Sequence, residues 1–246
     1  MTGSEHGDRR GALVLGLTTA TPRGSVALLQ GGRLVASCLY EDEMRHAERL
    51  FDTIDQVLAD ARLARHCLTA IACDVGPGSF TGVRVGVASA KGMALALGLP
   101  LVPVQSLETM AMAAFHAVGR EVRQVVCVID AKRQENFYAA YDRQLEACRE
   151  PAHVAAAETL TTLGDLAEDQ TVAFCGRAAR LLDLPPARLV DRPACELPHA
   201  EWVGRRALAL LGAELPPLTA VEPVYLRAPD AVPNLPKPVI GRPVDR

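Results

Sequence analysis

The residues best placed to do chemistry form the run Gly76-Pro77-Gly78-Ser79-Phe80-Thr81-Gly82, between an apolar stretch and a helical pattern. Glycines let backbone approach a ligand closely, and the amides that open a helix attract anions. Gly76, Gly78, Ser79 and Thr81 are therefore candidate nucleotide- or anion-binding positions. The competing reading is a structural turn whose helix is capped by Ser79 or Thr81. No Gly-Lys-Ser/Thr follows, so this is not a Walker loop, and Ser79 lacks the glycine spacing of a nucleophile elbow.

A second candidate is His46 with Glu48. A zinc peptidase needs another His one helical turn away. The next histidine is His66, and His6, His116, His153 and His199 are isolated. No metal site is expected, and the plain reading of His46 is a surface residue at a helix start. Asp130, in Asp130-Ala131-Lys132-Arg133-Gln134-Glu135, either meets a ligand or shapes a turn and pairs with Arg133. Finally, Gly82, Gly86 and Ala90 lie four apart on one helix. Such a stripe lets another element approach backbone-close, either a second chain or the neighbouring helix at 47–61.

These residues need elements to position them. Apolar runs at 13–17, 25–30 and 33–40, with Gly31-Gly32 between the last two, read as three hairpin-linked strands. Ala47, Leu50, Phe51, Ile54, Val57, Leu58 and Ala61 recur at helical period, with Glu48, Asp52 and Asp55 opposite. A buried strand at 70–75, the glycine loop, a helix at 83–97 stopped by Gly98 and Pro100, a strand at 101–104 and a helix at 106–118 complete a first unit. The pattern then restarts: strands at 125–130, 136–141 and 145–148, a helix at 160–167, strands at 172–175 and around Leu189, and a helix at 199–211. Two related α/β lobes are expected. Eight of the 17 prolines fall after residue 215, so an extended, partly disordered tail is expected at 229–246.

Composition bounds the function. The chain has 246 residues, 49% hydrophobic and 22% charged, enough for a sizeable core without staples. A net charge of −3 gives no global field for gripping nucleic acid. Seven scattered cysteines without a C-x-x-C fit free thiols in a reducing compartment. No apolar run spans a bilayer, and the N-terminus lacks a secretory h-region. The chain is expected to be cytoplasmic, with no membrane partner.

The run Gly76–Gly86, continuing through Ala90-Lys91-Gly92 and Val104-Gln105-Ser106-Leu107-Glu108, resembles the hallmark of the TsaB (YeaZ) family. His46-Ala47-Glu48, Asp130-Ala131-Lys132-Arg133 with Glu135, and Pro223-Val224-Tyr225-Leu226-Arg227 resemble further elements of that family. The resemblance covers about residues 12–228. It implies an α/β, actin/Hsp70-like (ASKHA) fold, with an N-terminal lobe at 1–104, which the helix near 199–212 could complete, and a C-terminal lobe at 105–228. It implies a non-catalytic scaffold subunit that pairs with TsaD, is joined by the ATPase TsaE, and takes part in threonylcarbamoyl transfer to the adenosine beside the anticodon of ANN-decoding tRNAs. ATP or ADP and metal are then expected in the partners, with no intrinsic cofactor here. The family's contact helices correspond to 46–62 and 81–97, which makes His46, Glu48, Leu50, Phe51, Ile54, Val57, Gly82, Gly86 and Ala90 the expected interface, for TsaD or for a homodimer. Where ASKHA ATPases carry Asp at the end of the first strand, this chain has Thr18. That counts against a free-standing ATPase or small-molecule kinase, and the missing His pair counts against a metallopeptidase.

Overall fold

In the computed structural model, which describes residues 11–42 and 45–227, the chain opens with three antiparallel strands, β1 (Leu13–Thr18), β2 (Arg23–Gln30) and β3 (Arg33–Glu41). Strands β4 (Ala70–Asp74) and β5 (Leu101–Val104) then add in parallel on the other side of β1, giving the order β3-β2-β1-β4-β5. Every residue of β1 is buried, because helices cover both faces of the sheet. That is why its sequence is a continuous apolar run rather than an alternating one. Leu13, Leu15 and Leu17 face helices α1 (His46–Asp60) and α2 (Phe80–Leu97). Val14 faces helix α6 (Ala200–Leu210), with Val203 and Ala207. The helix latest in the sequence thus closes the first lobe. A side chain on Gly16 would collide with the Ala200 carbonyl, so the glycine sets how closely α6 lies on the sheet.

The second lobe repeats the plan in reduced form. Helix α3 (Ser106–Ala117) leads to strands β6 (Gln124–Lys132), β7 (Glu135–Asp142), β8 (Ala147–Ala155) and β9 (Val172–Cys175), ordered β8-β7-β6-β9. The fifth strand survives only as a single parallel bridge between Leu189 and Phe174. Beside it, buried Arg188 donates to the carbonyls of Val172, Ala167 and Leu166 and stacks on Phe174. It supplies donors to backbone acceptors at the edge of β9 and in the neighbouring helical turn at 165–168. This doubled lobe is the ASKHA architecture that the resemblance implies.

Two local expectations need correction. The third strand of this lobe is Ala147–Ala155, not 145–148; Arg149, Glu150 and Pro151 disguise an edge strand as a loop. The helix expected at 160–167 is two short ones, α4 (Thr159–Leu163) and α5 (Asp165–Glu168), broken at Gly164 with φ of 52°. The Pro-rich tail at 229–246 and residues 1–10 lie outside the described residues. No helix among the described residues is long and apolar enough to cross a membrane.

Candidate functional site

The glycine loop is packed against its own lobe. Ser79 donates its amide to Ala20 O at 2.6 Å, and the Thr19 hydroxyl donates to Gly82 O at 2.7 Å. A Cβ on Gly78 would strike the Ala20 carbonyl, and one on Gly82 the Thr19 carbonyl. These glycines let two backbones touch. The Ser79 side chain caps α2 by accepting from Gly82 N, and the amide of Gly76 is held by Asp74 Oδ1 at 2.9 Å. The amides of Gly76, Ser79 and Gly82 are therefore engaged internally, which favours the structural-turn reading over an anion cradle. Thr81 is exposed on the first turn of α2.

Beneath the loop lies an acid that the sequence reading passed over. Asp74, fully buried at the end of β4, accepts from the Thr18 and Ser106 hydroxyls, each at 2.6 Å. Burial pushes its carboxyl pKa up, while the bonds from Ser106, Thr18 and Gly76 pull it down; the net direction is upward. Thr18, standing where ATPases of this fold carry an acid, thus spends its hydroxyl inside the lobe. Asp74 fastens the end of β1 to the start of α3, where the chain enters the second lobe. A lone acid in the apolar run Ile71–Val75 was the available signal.

The expected interface residues divide. His46 is buried, not at the surface: Nε2 donates to Thr21 O at 3.0 Å, and Nδ1 lies 3.3 Å from the Tyr40 hydroxyl. Leu50, Ile54 and Val57 are buried in the first-lobe core. Gly82, Gly86 and Ala90 are buried as well. A Cβ on Gly86 would lie 2.5 Å from Thr19 Oγ1, with Leu17 and Cys73 close behind. The stripe is filled from within the chain by the end of β1 rather than by α1, and all seven of these residues are buried in their own lobe. Glu48 and Phe51 remain outside; Glu48 pairs with Arg45 at 2.8 Å and Phe51 is 42% exposed.

The outward face of α2 carries a second small-residue line that the sequence reading missed. Ala88, Gly92 and Ala96 are exposed at the same spacing of four, beside Leu95, which is 75% exposed. Among the described residues, nothing lies within 4 Å of where a Gly92 Cβ would point. On α1, Ala47 and Phe51 are likewise exposed one turn apart.

Between the lobes runs a cleft of about 940 Å³, lined by Ser79, Phe80, Arg84, Asp130, Phe137, Leu181 and Tyr225 among others. The strap at its edge brings Val224 N to Val75 O at 2.7 Å and Arg227 to Glu135 at 2.9 Å, tying one lobe to the other. Asp130 shapes its turn by accepting from Lys132 N at 2.7 Å, and faces the Lys132 ammonium at 3.9 Å. Across the cleft, Arg177 reaches Glu41 at 2.9 Å.

A family model described as "TsaD: tRNA N6-adenosine threonylcarbamoyltransferase" matches residues 41–187. The chain is 30% identical over 172 residues to the tRNA threonylcarbamoyladenosine biosynthesis protein TsaB of Bacillus subtilis, covering 68% of this chain and 72% of that one. The chain belongs to the TsaB (YeaZ) family. A TsaB of Haemophilus influenzae is 39% identical over 132 residues, a match spanning 53% of this chain and about half (54%) of that relative. The solved structure of YeaZ from Pseudomonas aeruginosa superposes with a TM-score of 0.71 at 30% identity, covering 87% of this chain and 100% of that one. In TsaB terms, the hallmark glycine run is an intramolecular fastener, and the Pro223–Arg227 element is the strap across the cleft. Among the described residues of this TsaB relative, no three His, Cys, Asp or Glu side chains converge as a metal site.

Proposed function

We propose that this chain is an accessory, non-catalytic subunit of the assembly that transfers threonylcarbamoyl from its adenylate to the adenosine beside the anticodon of ANN-decoding tRNAs. It docks a TsaD-type transferase subunit through the outward faces of α1 and α2. The observation that carries this reading is the Ala88–Gly92–Ala96 line with Leu95, an apolar surface of small residues that the described residues leave open. Small residues let helices of two chains approach to about 8–10 Å, and an exposed apolar patch marks an interaction face. Without the partner, the same face serves a homodimer.

Two features support a non-catalytic role. Thr18 supplies no carboxylate for a metal–nucleotide complex, and Asp74 already serves three internal donors. The glycine loop is closed onto Ala20 and Thr19 rather than open to a phosphate. Nucleotide, metal and the contribution of TsaE are accordingly assigned to the partners, in the cytoplasm. With a net charge of −3, the subunit meets tRNA chiefly through the complex. The transferase description of the matching family model favours a second reading, in which the chain itself transfers the group.

Purified chain and a TsaD-type subunit, separately and together, decide between the two. Light scattering after size exclusion reads assembly, and mass spectrometry of digested tRNA reads modification. Assembly with modification only in the mixture is expected. Modification by the chain alone would establish the second reading.

A further inference from the structure

The interlobe cleft is chemically lopsided. Among the described residues, its other lining cations each have a carboxylate within reach: Arg177 meets Glu41 and Glu196, Arg180 meets Asp191 and Glu196, Lys132 meets Asp130, and Arg227 meets Glu135. Arg84 differs. Its guanidinium lies 3.7 Å over the Phe80 ring centroid, and its Nε donates to the Tyr225 hydroxyl at 2.7 Å. No carboxylate among the described residues comes within 4 Å of it. The aromatic platform and the Nε bond fix the plane of the group and leave its two terminal nitrogens without an acceptor among the described residues. That is the geometry for bidentate capture of a carboxylate or phosphate. Around it, Phe80 and Tyr225 are exposed, and Leu181 at the mouth is 87% exposed. Ile129, Phe137, Leu197 and Leu226 form an apolar floor.

A nucleotide fits this poorly. The loop that should receive its phosphates is packed onto Ala20 and Thr19, with the Ser79 amide bound to Ala20 O. We infer that the cleft is a docking groove for an extended peptide segment of a partner protein, in which an Asp or Glu side chain pairs with Arg84 and a neighbouring large apolar side chain packs against Phe80, Tyr225 and Leu181. Charge complementarity selects the acid, since Arg84 lacks a carboxylate in a lining whose other cations are paired. The apolar floor selects the neighbour. Buried aromatic and Arg anchors are the usual energetic centres of such contacts. Arg84 lies one turn before Ala88 on α2, so the groove adjoins the outward face of that helix, but the inference rests on the cleft lining and does not depend on the identity of the subunit docked on that face.

The test uses the full chain and a displayed library of random peptides of about a dozen residues. Selection is expected to enrich Asp or Glu next to Leu, Ile, Phe or Trp. A labelled synthetic peptide of the enriched sequence is then titrated by fluorescence anisotropy. Arg84→Gln is expected to weaken binding about tenfold or more, and Arg84→Lys to fail to restore it because the ammonium cannot make the planar pair. Leu181→Ser, at a site too exposed to affect folding, is expected to weaken binding about threefold. Thermal melts confirm that each variant is folded. The inference is overturned if no sequence is enriched, if the enriched sequence lacks an acid, if Arg84→Gln binds equally well, or if millimolar ADP displaces the peptide. It is also overturned if a synthetic copy of residues 228–246 competes equally well, for the groove would then belong to the chain's own segment.

Discussion

Helix α2 carries the same small-residue spacing on two opposite faces. On the inner face, Gly82, Gly86 and Ala90 are buried, with the end of β1 filling the space that side chains would take. On the outer face, Ala88, Gly92 and Ala96 are exposed, and space lies open beyond Gly92. Identical spacing therefore carries two meanings. A small residue admits close approach; which element approaches depends on what the fold has already placed opposite. Inside, that is the sheet and the turn at Thr19. Outside, nothing among the described residues takes the place.

The comparison can be broken first at its inner side. Gly86→Leu is expected to destabilise the chain by about 3 kcal/mol or more, because even its Cβ would sit 2.5 Å from Thr19 Oγ1 in backbone-close packing. A chemical-denaturation midpoint equal to wild type would place the helix face in open space instead. The neighbouring junction comes next. Asp74→Ala leaves the Thr18 and Ser106 hydroxyls and the Gly76 amide without their acceptor, at a cost of about 2–3 kcal/mol. A smaller loss in Asp74→Asn, which keeps an acceptor, would separate hydrogen bonding from charge.

On the outer side the sign reverses. Gly92→Ala meets no atom of the described residues within 4 Å, so the gain in helix propensity should stabilise the isolated chain by about 0.5–1 kcal/mol. A lower melting temperature would mean that this face is covered within the chain. The smallest effect is expected at α6, which closes the other face of the same sheet. His199 Nδ1 accepts from the Glu201 amide at 3.2 Å, which requires that nitrogen to be unprotonated. Burial, the largest cause, and nearby Arg23 hold its pKa below the ordinary value, against an upward pull from Glu201. Since the folded-state pKa lies below the unfolded one of about 6.5, this stabilisation is complete above that pH. It is lost as the pH falls from there through the folded value. His199→Asn keeps a capping acceptor without the titration and should flatten that part of the melting profile. An unchanged acid-side slope would assign it to other groups.

Much of this frame was legible in the chain. Apolar runs and the stripe Leu50, Ile54 and Val57 gave the first-lobe elements, because burial on both faces of β1 and one face of α1 imposes its own periodicity. The glycine run marked its loop. Direction was what the sequence left open: the spacing of Gly82, Gly86 and Ala90 says that something comes close, but only the fold shows that it is Thr19. His46 read as a surface residue because its partners, Thr21 O in the turn between β1 and β2 and the Tyr40 hydroxyl on β3, are brought to it only by the folded sheet. Arg84 was silent for the same reason, as Tyr225 is supplied from the far end of the chain.

The most direct measurement compares Gly92→Glu with Gly86→Leu in two readouts, the melt of the isolated chain and its assembly with a TsaD-type subunit by size exclusion and light scattering. An outer-face charge buried against a partner should weaken assembly by about tenfold or more, roughly 1.4 kcal/mol, while leaving the melt at or slightly above wild type. Gly86→Leu should lower the melt first and lose assembly only as the chain unfolds. Unimpaired assembly of Gly92→Glu, or a folded Gly86→Leu that no longer assembles, would contradict the assignment of the inner stripe to the core and the outer stripe to the partner.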